Sequence, residues 1–308
     1  MMFGKIATAA AAAAAALFMA VPSANAATYA GVGSDTTQDV MRALTEEYAT
    51  TVNPTNTWVS IDAGSTTQTI PGCTISNPAP NGSSAGINAL LADSTGCIDY
   101  ARSSRPLKTG TEQSTLTAVR LGGDSVSVAA LPQAAGGHAP ANISLADIQK
   151  IYKCEITNWN GVAGGTSSDP IVRYLPQAGS GTRDFFITSV LGFDPTDLNT
   201  GNCTTQPTLV QENRGDAVAT ADRDSAILPY SKAAWTAQAN SGDTGVPDHR
   251  AGFVLLNING TAPGGTGFVG NRDVYNVYKT AGADPTLVAF LNWAAAQNDF
   301  KALYGFTA

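Results

Sequence analysis

The sequence has few charged residues and no excess of positive charge. Only 13% of its 308 residues are charged, and the formal net charge is −7. A nucleic-acid-binding surface usually needs a basic face, so this balance argues against a nucleic-acid partner. It does not argue against a small anionic ligand, because backbone N–H groups and helix N-termini hold anions with little formal positive charge.

Residues that usually carry catalysis or bind metals are also sparse. The two histidines, His138 and His249, have no supporting motif and are interpreted as surface loop residues. The sequence has no His-Glu-x-x-His, no P-loop Gly-Lys-Ser/Thr and no Cys-x-x-Cys pair. Ser180 lies in an Ala-Gly-Ser-Gly-Thr turn rather than in a Gly-x-Ser-x-Gly nucleophile elbow. We therefore expect a protein that is not an enzyme and has no metal or other cofactor.

The segment 1–26 has the layout of a secretory signal peptide. Lys5 supplies a positive start, Ala9 to Val21 is apolar, and Ala24-Asn25-Ala26 is a small-x-small cleavage site. The apolar run is shorter than the about 20 residues of a membrane-spanning helix. We expect a mature, secreted chain that begins near Ala27, and no lipid anchor because no cysteine lies near that point.

The chain contains four cysteines, which are Cys73, Cys97, Cys154 and Cys203. Because an exported chain meets oxidising conditions, this even number predicts two disulfides. Three pairings are possible. We favour Cys73–Cys97 and Cys154–Cys203, because each pair then falls within one of the two lobes proposed below.

Short strand-like runs alternate with helix-like stretches, which is typical of an α/β fold with largely parallel sheets. The length of the mature chain favours two domains. Predicted strands cover Trp58–Ile61, Cys97–Ala101, Ser125–Leu131, Ile171–Leu175, Ala226–Leu228, Gly252–Asn257 and Val274–Tyr278. Predicted helices cover Thr36–Thr50, Ser84–Leu91, Ser144–Tyr152, Thr182–Leu191, Asp216–Ala221 and Pro285–Gln297. Ser144 and Asp284 are the expected N-caps of the helices that they begin.

The most informative turn lies between a predicted strand and an apolar helix and contains Ser180, Gly181, Thr182 and Arg183. Glycine lets the backbone come close to a ligand, and the first turn of the helix leaves N–H groups unpaired. The two hydroxyls add donors, and the guanidinium suits an oxyanion. Taken alone, this turn is equally consistent with an anion site and with a plain loop that carries a polar cap.

Three other small, hydroxyl-rich turns stand at element ends. They are Gly31–Thr37 with Ser34, Asp35 and Thr36, Asn81–Ile87 with Ser83, and Ala101–Leu107 with Ser104. Each is an ordinary cap or loop when taken alone. Four such turns together favour an oxyanion site, because a desolvated tetrahedral anion needs many donors at once.

These four turns follow one another in the same order as similar turns in the phosphate-binding proteins of ABC-type phosphate uptake systems, which this chain resembles. Further along the chain, Leu145-Ala146-Asp147-Ile148 and the later Ile156-Thr157-Asn158-Trp159 match that family's signature, and Ala226–Tyr230 resembles its Gly-Ile-Gly-Tyr segment. The resemblance covers nearly the whole mature chain. It implies a type II periplasmic-binding-protein fold, in which two α/β lobes are joined by two crossing strands and the ligand binds between the lobes.

The resemblance also implies a division of the chain into lobes and a set of partners. Lobe I is expected to comprise residues 27–126 and 277–308, and lobe II residues 127–276. The crossings are expected near Ser125–Leu131 and Val274–Tyr278. The implied ligand is phosphate or a related oxyanion, the implied partner is an ABC permease, and we expect a monomer.

The expected ligand residues are Ser34, Asp35, Thr36, Ser83, Ser104, Ser180, Gly181, Thr182 and Arg183. Two positions depart from the family pattern. The family often has an arginine where this chain has Pro176, so Arg183, Arg102 or Arg105 supplies the cation, or none does. The family also has an aspartate, aligned here with Ser104, that accepts a proton from hydrogen phosphate and so rejects sulfate. Asp35 is a possible substitute for it.

The sequence predicts the class of ligand, an oxyanion, more firmly than it predicts which ion binds. The alternative function is a secreted scavenger or interaction protein of the same fold that binds another anion or a phosphorylated metabolite. A hydrolase is the third hypothesis, and the missing nucleophile and metal motifs argue against it.

Overall fold

The computed structural model describes residues 26–308, so the predicted signal peptide lies outside it except for Ala26. The strands are β1 (Thr28–Gly33), β2 (Thr57–Ser60), β3 (Tyr100–Ser103), β4 (Leu116–Ala130), β5 (Asn142–Ile143), β6 (Val172–Pro176), β7 (Thr208–Val210), β8 (Ala226–Ser231), β9 (Val254–Leu255), β10 (Asn257–Ile258) and β11 (Asn271–Lys279). The α-helices are α1 (Gln38–Thr51), α2 (Ser83–Ala92), α3 (Thr111–Thr115), α4 (Leu145–Tyr152), α5 (Gly181–Phe185), α6 (Lys232–Ala239), α7 (Ser241–Thr244), α8 (Pro285–Ala296) and α9 (Asn298–Leu303). None of the helices within residues 26–308 is long and apolar enough to cross a membrane.

One continuous sheet runs through the molecule in the order β2-β1-β3-β11-β4-β8-β6-β7, and β9 pairs with β4. The strands at both ends are parallel, since β1 pairs in parallel with β2 and β3, and β6 with β7 and β8. Antiparallel pairs lie in the middle, where β11 joins β3 to β4 and β4 joins β8. This is the type II periplasmic-binding-protein arrangement that the sequence predicts.

The long strand β4 connects the two lobes. Residues Leu116–Ser125 of β4 pair with β11, and Val126–Ala129 pair with β8, so its partner changes between Ser125 and Val126. The return crossing lies just before Asn271, because Asn271 already pairs with Ser125. We therefore place the second lobe boundary near Gly270 instead of at 276, and the division into lobes stays a proposal.

Each lobe has its own hydrophobic core. Tyr48, Trp58 and Phe290 lie in the lobe I core, while Trp159 and Phe186 lie in the lobe II core. Helix α6 follows the lobe II strand β8, and two of its alanines belong to the lobe I core, while a third alanine and its tryptophan pack against a lobe II cluster. The junction between β8 and α6 therefore lies between the cores of the two lobes.

Both disulfides of the favoured pairing are present in the structure. Cys73 pairs with Cys97 across a Cα–Cα distance of 5.6 Å, and Cys154 with Cys203 across 5.0 Å. Each closes a segment within one lobe. The first pins the loop that precedes α2, and the second ties the end of α4 to the loop before β7.

Local signals predicted several elements well and others poorly. Ser144 caps α4 by accepting a hydrogen bond from Asp147 N at 2.9 Å, and Asp284 caps α8 through Thr286 N at 2.7 Å, as expected. The predicted helix Asp216–Ala221 is wrong, because this stretch forms only two short 3-10 turns. Strands β1 and β7 and helix α6 were not predicted. Strand β1 is rich in glycine and alanine, β7 has only three residues and α6 is alanine-rich, so neither periodicity nor length marks them.

Candidate functional site

The four hydroxyl-rich turns meet at the seam between the lobes. Ser34 and Thr36 lie between β1 and α1, Ser83 begins α2, and Ser104 follows β3. Ser180 is the N-cap of α5, a helix that continues as a π-helical turn through residue 191. The side chains of Ser34, Thr36, Ser83, Ser104, Ser180 and Thr182 are all exposed by 5% or less. We call these six residues the hydroxyl cluster.

The contacts in the hydroxyl cluster cross from one lobe to the other. Thr36 Oγ1 lies 3.2 Å from Thr182 Oγ1, and within lobe I Ser83 Oγ lies 3.2 Å from Ser104 Oγ. Gly181 brings the start of α5 against this lobe I pair. A Cβ added at Gly181 would lie 2.2 Å from Ser83 Oγ and 2.3 Å from Ser104 Oγ, so a larger residue does not fit there.

Backbone and amide groups close the seam beside the hydroxyl cluster. Ser84 N donates to Gly179 O at 3.1 Å, and a Cβ on Gly82 would lie only 2.3 Å from the same oxygen. Asn81 of lobe I accepts from Gln177 Nε2 and donates to Gln211 Oε1, each at 2.9 Å. Polar contacts therefore join the two lobes on one side of the cluster.

Glu212 supplies a buried carboxylate at the hydroxyl cluster that sequence analysis missed. Its Oε1 accepts hydrogen bonds from Thr36 Oγ1 and Thr182 Oγ1, both at 2.6 Å. Its Oε2 is buried and has no hydrogen-bond partner within residues 26–308. A buried acceptor without a donor is costly, so Oε2 marks a place where a donor belongs.

Arg272 supplies the guanidinium at the site and was also missed. Its Nη2 donates to Thr182 Oγ1 at 2.9 Å and to Thr36 Oγ1 at 3.4 Å, and its Nη1 donates to Ser104 O at 3.1 Å. The side chain is only 2% exposed and forms an ion pair with Asp124 at 2.8 Å. The cation therefore comes from the return strand β11 rather than from any of the four turns.

The three arginines considered from the sequence are engaged elsewhere. The Arg102 guanidinium is buried and donates to the carbonyls of three lobe I residues, Gly31, Ser34 and Ile61. Arg105 pairs with Glu112 at 2.9 Å. Arg183 donates to Pro176 O at 3.3 Å. Of these four arginines, Arg272 is thus the one whose guanidinium donates to side-chain hydroxyls of the cluster, and a ligand role for Arg183 stays a prediction.

Asp35 lies at the edge of the site and faces amides rather than the Ser180 turn. Its carboxylate accepts from Asn213 Nδ2 at 2.8 Å and from Gln211 Nε2 at 3.3 Å. Burial and the nearby charge of Glu212 raise the pKa of Asp35 to about 8. Among the carboxylates, Glu212 rather than Asp35 therefore contacts the hydroxyl cluster.

The arrangement suits the binding of a small oxyanion more than a bond-breaking reaction. The cluster offers several hydroxyls, a guanidinium and the first-turn N–H groups of α1, α2 and α5, all of which donate to negative oxygens. Both histidines lie outside it, since His138 contacts Asp169 and His249 contacts Asp216. No hydroxyl of the cluster therefore has an imidazole base beside it.

Comparison with known proteins identifies the fold. Residues 20–298 match the family described as "PBP superfamily domain". No protein with a curated description matches this sequence. Solved structures match it along nearly its whole length.

Three of these structures are described as phosphate transport or phosphate-binding proteins. A putative phosphate ABC transporter substrate-binding protein with bound phosphate from Clostridium perfringens has 21% identity and a TM-score of 0.66, covering 91% of this chain and 98% of its own. An ABC-type phosphate transport receptor from Vibrio cholerae has 20% identity and a TM-score of 0.60, covering 91% and 99%. A phosphate-binding protein from Stenotrophomonas maltophilia has 14% identity and a TM-score of 0.58, covering 92% and 90%. At these identities the likeness establishes the fold.

Proposed function

Because the chain belongs to the PBP superfamily, we propose that it is a solute-binding protein that encloses a small oxyanion, most of all phosphate, between its two lobes. The observation that carries the proposal is the convergence of the hydroxyl cluster and Arg272 at one buried seam. It is a binding protein rather than an enzyme, and it works without a cofactor.

Hydrogen bonds rather than net charge give the site its affinity. Asp124 already neutralises the guanidinium of Arg272, and Glu212 adds a further carboxylate. Ser34 Oγ is buried and without a partner within residues 26–308, so it is ready to donate. Ser84 N and Arg183 N already donate within the protein, so the remaining first-turn N–H groups of the flanking helices are the further neutral donors. An acidic chain can therefore bind an anion at this seam.

Glu212 selects for an oxyanion that carries a proton. Its unpaired Oε2 accepts a hydrogen bond from the O–H of hydrogen phosphate, which fills the place of the missing donor. Sulfate has no proton at neutral pH, so one of its negatively charged oxygens would lie next to the carboxylate and be repelled by it. Glu212 thus takes the role that the resemblance assigns to an aspartate at the position of Ser104.

The same relatives support a proposal for the biological setting. The C. perfringens and V. cholerae proteins are described as parts of ABC-type phosphate transport systems. We propose that this chain is secreted, acts as a monomer and delivers its ligand to an ABC permease. The two disulfides suit an oxidising compartment.

Titration calorimetry on the chain from Ala27 to Ala308 tests the ligand class. We expect phosphate to bind with a stoichiometry of one, and sulfate to bind at least tenfold more weakly. A preference for a phosphorylated metabolite such as glycerol phosphate would replace inorganic phosphate with an organic ligand. The absence of heat from every oxyanion would overturn the proposal.

Glu212→Gln tests the selectivity mechanism. The amide keeps the shape of the side chain but loses the charge and one acceptor, so we expect about tenfold weaker phosphate binding and a smaller preference over sulfate. Glu155→Gln, an exposed glutamate in lobe II, is the matched control and should change neither affinity. Unchanged selectivity in Glu212→Gln would contradict the assignment.

A further inference from the structure

We propose that Asp124 is a positioning residue at the lobe crossing, which holds the Arg272 guanidinium against the hydroxyl cluster and ties it to the junction of β8 and α6. The inference rests on the proposed function, because it concerns how the arginine of that site is oriented. Within the described part of the chain, the Asp124 carboxylate makes its hydrogen bonds to Ser231, Ala233 and Arg272 and none to the hydroxyl cluster, so Asp124 is distinct from the proposed ligand residues.

The Asp124 carboxylate is saturated with hydrogen bonds. Its Oδ2 accepts from Arg272 Nε at 3.0 Å, from Arg272 Nη2 at 2.8 Å and from Ser231 Oγ at 2.9 Å. Its Oδ1 accepts from Ala233 N at 2.9 Å. The Asp124 side chain is fully buried, so water does not compete for these bonds. A carboxylate held on several sides fixes its partner in one orientation.

The position of Asp124 in the chain makes this contact a link between elements. Asp124 lies in β4 just before the strand changes partner from β11 to β8. Ser231 ends β8, and Ala233 lies in the first turn of α6 and belongs to the lobe I core. One carboxylate therefore joins β4, β8, α6 and β11 where the chain crosses between the lobes.

Arg272 needs such a holder because another carboxylate is close by. The guanidinium donates to Thr182 Oγ1 and Thr36 Oγ1, the same two hydroxyls that donate to Glu212 Oε1. A flexible guanidinium released from Asp124 would pair with Glu212 and block the acceptor that we assign to the ligand. Asp124 keeps the two charges of the site apart.

A positioning role and a purely electrostatic role predict opposite changes in phosphate affinity for Asp124→Asn. Removing a negative charge next to Arg272 makes the site more positive, which by charge alone strengthens anion binding. Loss of the carboxylate also frees the guanidinium, which weakens binding if orientation matters more. We expect about tenfold weaker phosphate binding.

The matched control is Asp273→Asn. Asp273 is 44% exposed, lies next to Arg272 in β11 and pairs with Arg120 at 2.8 Å, so its substitution removes one negative charge nearby without touching Arg272. We expect its phosphate affinity to stay within twofold of wild type. Tighter binding by Asp124→Asn, or equal effects in the two variants, would overturn the inference.

A double-substitution cycle separates positioning from general damage to the fold. If Asp124 acts through Arg272, Asp124→Asn should weaken phosphate binding little further in an Arg272→Lys background. Full additivity in calorimetry would overturn the inference even if both single variants bind weakly. Circular dichroism checks that each variant is folded.

Ser231→Ala is the alternative test variant if Asp124→Asn does not fold. It removes one donor to Asp124 and leaves every charge in place, so we expect a two- to threefold loss of affinity that also disappears in the Arg272→Lys background. No loss in Ser231→Ala would count against the link to β8. If wild type binds phosphate while these tests fail, the inference fails alone. If wild type binds no oxyanion, the proposed function fails together with it.

Discussion

The lobe I face and the lobe II face of the cleft carry the same kind of serine-bearing turn, but different contacts hold them. On the lobe I face, the buried Arg102 guanidinium ties the Ser34 turn to neighbouring strand ends through backbone carbonyls. On the lobe II face, the turn is held locally, since Ser180 Oγ accepts from Arg183 N at 3.0 Å.

This difference separates stability from affinity. Groups that hold the lobe I face are built into its core, so their removal should unfold the protein before it changes ligand selectivity. The lobe II face contributes Thr182 and the carboxylate of Glu212, both of which contact Thr36 across the seam. Substitutions there should change binding and leave the fold largely intact.

The largest expected effect is on the lobe I face, in Arg102→Met. Three buried carbonyls and Ser60 Oγ lose their donor, so we expect a loss of about 3 kcal/mol or more in the free energy of unfolding. Urea denaturation measures it. Arg183→Met on the lobe II face is the control and should cost about 0.5 kcal/mol or less. Equal losses in the two variants would remove the contrast between the faces.

The second prediction concerns affinity on the lobe II face. Ser180→Ala and Thr182→Ala should each weaken phosphate binding by about 1–3 kcal/mol. The ligand loses a donor in the first variant, and in the second Glu212 and Arg272 lose the hydroxyl that links them at the site. Ser180→Ala should also cost about 1 kcal/mol of stability as the loss of an N-cap. Thr188→Ala, an exposed position further along the same helix, is the binding control. Unchanged affinity in both variants would place the ligand elsewhere.

The smallest expected effect is a pH dependence at the seam between the faces. The folded-state pKa of Asp35 lies at about 8, above its ordinary value of 3.8, because of burial and the charge of Glu212. The folded protein therefore retains this proton, and its contribution to stability is lost as pH rises through that range. Asp35→Asn should be more stable than wild type by about 1 kcal/mol at pH 8, with no difference near pH 4.

Asp216→Asn provides a control of opposite sign. Burial opposes ionisation of Asp216, yet the hydrogen bonds from Arg214 and His249 outweigh burial and lower its pKa. Its contribution is therefore present at neutral pH and lost as pH falls, so Asp216→Asn should be less stable than wild type at pH 7. Thermal unfolding at several pH values measures both variants. Parallel pH profiles of the two variants would contradict the reasoning for Asp35.

Patterns local in sequence predicted the α/β fold and the hydroxyl-bearing turns that the structure brings together at the seam. The caps at Ser144 and Asp284 depend on hydrogen bonds within a few residues, and the Ser180 turn is marked by its glycines. Arg272 and Glu212 carry no such mark. Glu212 follows a three-residue strand that no periodicity reveals, and Arg272 precedes a predicted strand far from every turn.

The sequence by itself determined the α/β lobes, the even set of cysteines and the serine-bearing helix starts, because each depends on spacing between near neighbours. Only the tertiary structure decided which arginine and which carboxylate face those hydroxyls. Arg272 reaches the hydroxyl cluster from the return strand β11 and Glu212 from the turn after β7, so each meets hydroxyls that are far from it in the chain. Burial at the seam strengthens the electrostatic interactions of these two charged side chains, since water no longer screens them.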